Sequence, residues 1–245
     1  MKKIAKTYLM IVIFLSMYHC EKDSKTEKKG DTIKIGLLAS FSGGFVGNDT
    51  RRAAELAISE INTAGGIFEK NLELISADTK SDPDVSPSAA QELIDKKVVA
   101  IVGPQESGTT ISAANTVTIK NKVPIISPSA TSPEITTLDD NQLVFRTAPS
   151  DSFQGEIAAQ TAMIKGFHSA GILYIDNAYG KGLADSFQKE FERKGGTITA
   201  IESYPDMTDE EVTKYQFDNG IEKIFKEKPK LLYLVSYPAD GAKIT

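Results

Sequence analysis

Histidine is nearly absent from this 245-residue chain, which holds only His19 and His168. Neither stands in a metal-spaced group with Cys, Asp or Glu, so the sequence offers no histidine-based metal centre. His168, in the helix-to-strand loop Gly166-Phe167-His168-Ser169, reads as a surface residue rather than a base. Cysteine occurs once, at Cys20, which excludes an internal disulfide. There is no Gly-x-Ser-x-Gly elbow and no P-loop, and Gly180-Lys181-Gly182 puts Asp185 where a dinucleotide loop needs its third glycine. An enzyme is therefore disfavoured, and no cofactor is implied. Nor is there a basic surplus: 28 Lys and Arg stand against 33 Asp and Glu, for a net charge of −5. Without a lysine stripe, nucleic acid is set aside as a partner.

Long apolar runs are also missing. The longest, Tyr8 to Met17, covers about ten residues, whereas a membrane-spanning helix needs roughly twenty. It follows Lys2, Lys3 and Lys6, the pattern of a secretory signal peptide. Cys20 then precedes a charged stretch, Glu21 to Gly30. This arrangement resembles a bacterial lipoprotein signal, with Tyr18 and His19 standing where small residues are usual. The resemblance implies a signal peptide over 1–20, lipidation of Cys20 with anchoring to a bacterial membrane, and a flexible tether over 21–31.

What is present from Ile33 onward is alternation. Short β-rich runs occur at Ile33–Ala39, Leu72–Ala77, Val98–Gly103, Val123–Ser127, Leu143–Arg146, Gly171–Asp176, Thr197–Ser203 and Leu231–Ser236. Helical periodicity lies between them: Ala54, Ala57, Ile58 and Ile61 share one face, and Leu183, Phe187 and Phe191 another. Near-continuous apolar strands separated by helices predict an α/β fold with parallel sheets, doubly wound. Asn62 to Gly66 and Gly195-Gly196 are helix stops. A boundary is expected near Thr147-Ala148-Pro149-Ser150-Asp151, giving one lobe over 32–148 and a second over 149–245.

In such sheets ligands bind beyond the carboxyl ends of the strands. Three of those loops are rich in hydroxyls: Ser40 to Gly44, Gly103 to Thr110, and Ser127 to Glu134. Ser107 opens a helix whose unpaired N–H groups would attract an anion. Each hydroxyl alone is as readily a helix cap or a turn residue. Their concentration at one sheet edge points to binding.

Several stretches resemble, in order and spacing, the leucine/isoleucine/valine-type solute-binding proteins of ABC importers, over Asp31 to Ala242. They include Ile58–Ile67 (ISEINTAGGI), Ile126–Ile135 (ISPSATSPEI), Phe145–Thr147 with Asp151 and Gln154-Gly155, and Asp176–Ala184 (DNAYGKGLA). The resemblance implies a type I periplasmic-binding-protein fold of two lobes joined by a hinge. It also implies capture of a branched-chain or related small amino acid, with an ABC permease as membrane partner. On its pattern the solute carboxylate meets Ser107 and Thr131, and the ammonium meets Thr131 and the Ser129 carbonyl. Tyr179 and Tyr237 close over both. A cysteine pair of several members falls at Ser81 and Glu106, so that disulfide is absent. The family's acidic ammonium partner would lie past Thr245, which implies a C-terminally truncated chain with an incomplete second lobe. A ligand-sensing lobe that signals through a membrane partner remains the alternative to transport.

Overall fold

The computed structural model describes residues 32–43 and 47–245. The signal peptide, the tether and Cys20 lie outside the described residues. Eight strands form where the apolar runs predict them: β1 Ile33–Ala39, β2 Leu72–Asp78, β3 Ala100–Val102, β4 Ile125–Ser127, β5 Val144–Arg146, β6 Ser169–Asp176, β7 Thr197–Pro205 and β8 Leu231–Val235. The first five make a sheet of order β2-β1-β3-β4-β5 and the last three a sheet of order β7-β6-β8. Among the described residues, every pairing between these strands is parallel. Parallel strands require crossovers, and helices supply them.

The helices are α1 Asn48–Thr63, α2 Ser86–Asp95, α3 Ser107–Ala113, α4 Asp151–Ile164, α5 Ala178–Arg193, α6 Asp209–Lys214, α7 Asp218–Lys226 and α8 Pro238–Ile244. Leu93 of α2 and Val117, just past α3, bury against Leu38, Ile101 and Ile125 on one face of the larger sheet. Helix α1 serves that sheet less closely. Ala54, Ile58 and Ile61 are half-buried, while Ala57, expected on the same face, is exposed. Asn62 nevertheless fastens the helix to the sheet: its Oδ1 accepts from the Leu72 N–H (2.7 Å) and its Nδ2 donates to the Leu72 carbonyl (3.0 Å).

Around the smaller sheet, α4 and α5 cover one face through Ala159, Ala162, Phe187 and Phe191. Helix α7 covers the other through Ile224, packed near Leu173 and Ile175. Strands β3 and β4 are shorter than their apolar runs. At β3, Lys97 takes a positive φ and the Val98 N–H still bonds back to Leu93 of α2 (3.3 Å), whereas the Val99 N–H already reaches the Lys34 carbonyl of β1 (2.9 Å) and leads into the strand. Its other end is fixed by Gly103, whose φ is +94° and where a Cβ would stand 1.9 Å from the Leu38 carbonyl oxygen. Only glycine brings the chain that close to β1, at the point where strand order reverses.

Candidate functional site

Beyond the carboxyl ends of β1 and β3, backbone and side chains interlock. The Asp78 carboxylate accepts from the Phe41 N–H (2.8 Å), the Ser42 hydroxyl (2.6 Å) and the Lys80 N–H (2.9 Å). Burial alone would raise its pKa, but these donors outweigh it and hold the group below the usual range. Gln105, almost fully buried, fills the crevice itself: its Oε1 accepts from the Ser40 N–H (3.4 Å) and its Nε2 donates to the Thr50 hydroxyl (3.2 Å).

Ser107 is the first residue of α3, and its hydroxyl oxygen accepts from the backbone N–H groups of Thr131 (3.2 Å) and Ser132 (3.1 Å). One side chain thus pins the loop after β4 to the helix after β3. Ser129 donates its hydroxyl to the Gln105 carbonyl (2.9 Å); its own carbonyl accepts no backbone bond among the described residues. The Thr131 carbonyl is taken, by the Asp151 N–H (2.9 Å) and Arg146 Nη1 (3.0 Å). Its side chain, half-buried, lies beside the Asp151 carboxyl.

Across from these loops, β6 is followed by Asn177, which caps α5 by accepting from the Gly180 N–H (2.9 Å). The first turn of α5 carries Tyr179, and its ring stacks on that of Tyr237 at 5.5 Å between centroids and 14° between planes. Asn177 Nδ2 reaches both Asp206 (2.8 Å) and the Tyr237 hydroxyl (3.4 Å). Tyr204 donates its hydroxyl to the buried Asp240 at 2.5 Å. The two halves approach closely at Gly182, where a Cβ would sit 2.8 Å from Pro133 Cδ. A side chain there would wedge α5 away from the Ser132-Pro133 turn.

Between the halves lies an open cavity of about 1150 Å³, bordered by Glu106, Thr109, Asn177, Asp206, Tyr237 and Asp240 among others. Among the described residues, eight carboxylates line it against one basic side chain, Lys80, so its field favours a positively charged group. Burial raises the pKa of Glu106, against hydrogen bonds from Ser81 and Thr109, and the Asp206 charge raises it further. Asp206 is raised in the same way, by burial first and by Asp240. The Tyr237 phenol is pushed up by burial and by Asp206 and Glu106, so it stays a neutral donor.

The expected residues fall into two groups: Ser107, Ser129 and Thr131 in one hydrogen-bonded loop system, and Tyr179 with Tyr237 in one stack. Only Tyr237 of the five borders the cavity directly. Ser81 and Glu106, the positions of the absent disulfide, do meet, through a hydrogen bond. Asn177, Asp206 and Asp240 were not anticipated. The first two directly follow β6 and β7, and the rule that ligands gather past strand ends would have found them.

Residues 32–245 match the family described as periplasmic binding protein. The chain is 34% identical over 191 residues to BasB of Halobacterium salinarum, a chemotactic signal transduction system substrate-binding protein, covering 74% of this chain and 45% of that one. It is 30% identical over 213 residues to the Leu/Ile/Val-binding protein BraC3 of Rhizobium johnstonii, covering 85% and 56%. Among solved structures, the branched-chain amino acid transporter substrate binding protein LivJ of Streptococcus pneumoniae, in complex with isoleucine, matches with a TM-score of 0.71 at 32% identity. That match covers 84% of this chain and 57% of the other. The chain spans about half the length of the relatives it matches.

Proposed function

From residue 32 to residue 245 the chain belongs to the periplasmic binding protein family, and on that premise we propose that it captures a branched-chain or related small amino acid outside the cytoplasm for an ABC importer. The relatives named above are solute-binding proteins rather than enzymes. The observation that carries the reading is the placement of the hydroxyl loop held by Ser107 with the Tyr179–Tyr237 stack at the facing strand ends. A zwitterion enclosed between two such surfaces loses its hydration, so each of its charges needs hydrogen-bonding partners there.

In this reading Ser107 and Thr131 hold the carboxylate. The Ser107 oxygen already accepts two N–H groups, which leaves its proton free to donate to the solute. The ammonium goes to the Ser129 carbonyl and the Thr131 hydroxyl, and the tyrosines cover the solute with apolar faces and polar tips. Residues 32–148 and 149–245 form the two lobes. Thr131→Val keeps the shape and removes a hydroxyl that serves both ends of the solute. Its affinity for whichever amino acid stabilises the wild type should fall about 5- to 150-fold. Equal calorimetric affinities for both forms would remove Thr131 from the site.

Export and lipid anchoring at Cys20 complete the proposal, with an ABC permease as the membrane partner. Cys20→Ser should move the protein from the membrane fraction to the soluble exported fraction. Unchanged fractionation, with the leader still attached by mass, would point to an uncleaved anchor instead. A second reading, solute sensing for a signalling partner, is favoured by the likeness to the chemotactic BasB. Loss of amino-acid uptake on deleting the gene supports import; loss of taxis with uptake intact supports sensing.

A further inference from the structure

Because the strands of the larger sheet run parallel, the loops that enter them share the edge opposite the candidate site. Between α1 and β2 that edge carries a closed two-residue turn. The Ile67 N–H donates to the Lys70 carbonyl (2.9 Å) and the Lys70 N–H to the Ile67 carbonyl (3.0 Å). Phe68 and Glu69 form its tip, with φ of +51° and +60°. Left-handed backbone at both central positions is the pattern of a type I′ turn, for which Asn-Gly is the favoured pair. An aromatic residue there is strained, and strain of this kind gathers at functional positions. The ring gives the fold nothing in return: Phe68 is 90% exposed, and Ile67 beside it 40%. One ring on a narrow turn is far too small for a protein interface, which buries about 1,000 Å² or more. It suits the boundary of a bilayer, where single aromatic side chains anchor.

The charge along the edge has the matching sign. Lys34 in β1, Lys70, Lys96 and Lys97 before β3, and Lys120 and Lys122 before β4 all lie on it. Acids at this end are fewer. Glu69 and Glu73 stand near the tip, Glu92 is paired with Lys96 (2.5 Å), and Asp95 accepts from Gln91 Nε2 (2.8 Å). Asp139 and Asp140 precede β5, the strand farthest from β2, and Asp140 accepts there from the N–H groups of Gln142 (2.9 Å) and Val144 (2.8 Å). The chain also enters the fold beside the turn, since the Ile33 N–H bonds to the Asn71 carbonyl (2.9 Å).

We propose that the turn from Ile67 to Lys70 inserts Phe68 into an anionic lipid surface, with the lysines of the same edge over the headgroups and the candidate site turned away from the bilayer. The inference goes beyond solute capture and rests only on the membrane-anchored part of that reading, because a chain held through Cys20 brings this edge within reach. Each lysine close to an anionic leaflet adds attraction that salt screens.

The chain has no tryptophan, so Phe68→Trp places a single reporter at the tip. Phe153→Trp, at a position 66% exposed on α4, is the control. Each full chain is reconstituted on vesicles of phosphatidylglycerol with phosphatidylcholine, or of phosphatidylcholine alone, with brominated acyl chains as quencher. On the anionic vesicles Phe68→Trp should shift its emission to shorter wavelength and lose intensity to the bromines, and Phe153→Trp should do neither. Adding Lys97→Glu and Lys122→Glu, or raising the salt, should weaken that quenching. Phe68→Asn with Glu69→Gly should keep or raise the melting temperature, because that pair fits the turn; a lower one marks the ring as part of the fold and overturns the proposal. So does a shorter wavelength without quenching, which assigns the tip to a protein contact, or equal quenching of both reporters, which marks unfolding on the bilayer. Equal quenching of Phe68→Trp on the two kinds of vesicle sinks the choice of an anionic surface. An unquenched Phe68→Trp chain that floats with the vesicles overturns the insertion alone, whereas a chain that does not float takes the membrane-anchored reading down with it.

Discussion

Phe187→Ala should lower the unfolding free energy by about 3–5 kcal/mol, the range for removing a fully buried aromatic ring. Phe187 is 0% exposed. Its ring stacks on Tyr233 at 3.8 Å and 11°, and on Phe191 at 5.2 Å and 17°. The neighbourhood has little room to collapse into the space left behind. At Gly155 of α4, a Cβ would already stand 2.7 Å from the Phe187 backbone nitrogen, so the two helices are in contact before any relaxation. Phe187→Leu keeps most of the volume and should cost less, about 1.5 kcal/mol or under. Urea unfolding of both variants makes the comparison; a loss under about 1 kcal/mol for alanine would mean that α4 and α5 repack. The site should respond as well. Tyr179 stands in the first turn of the same helix, so a loosened α5 should shift the tyrosine stack and weaken solute binding.

The strands were legible because a strand covered on both faces has to be apolar at nearly every position, as in GILYID and LLYLVS. Their ends were less so. Where β3 begins depends on where α2 releases the chain: the Val98 N–H still bonds back to Leu93 while the Val99 N–H reaches the Lys34 carbonyl, a boundary beside a positive φ at Lys97 that hydropathy does not encode. The face of α1 was read from spacing, but a period says which residues align and not how deeply the helix sits. Ala57 is exposed because α1 touches its sheet only lightly.

For the candidate site, the hydroxyl-rich loops after strands pointed to Ser107, and only the family resemblance pointed to Ser129 and Thr131. The partners of those hydroxyls could not be read, since Ser107 meets a backbone 24 and 25 residues away. The same holds for Tyr204 and Asp240, 36 residues apart in sequence and joined at 2.5 Å. Asp151 was visible as part of a motif. Its burial, at 1% exposure with both carboxylate oxygens enclosed, is a property of packing that no spacing encodes.

Ser107→Ala should damage stability and binding together, which separates Ser107 from Thr131. The hydroxyl is 2% exposed as a residue and serves as acceptor to two N–H groups, and Ser132, one of their owners, is 1% exposed. Alanine leaves both donors without a partner, at about 1–3 kcal/mol each where no water replaces the oxygen. The combined loss should be roughly 2–4 kcal/mol, below the plain sum because the loop can relax. Released from α3, the turn from Ser129 to Ser132 would carry the Ser129 carbonyl and the Thr131 hydroxyl away from their present places. Affinity for an amino acid should therefore fall by at least about tenfold, in a site that depends on fixed geometry. Thr131→Val, by contrast, should weaken binding while lowering the melting temperature of the empty protein less than Ser107→Ala does, since the backbone of the loop stays pinned and only the hydroxyl beside Asp151 is lost. Thermal melts of both ligand-free variants, paired with calorimetry, decide the matter. A Ser107→Ala variant that melts like wild type but no longer binds would show that the hydroxyl acts on the solute directly and that the loop holds its shape without it.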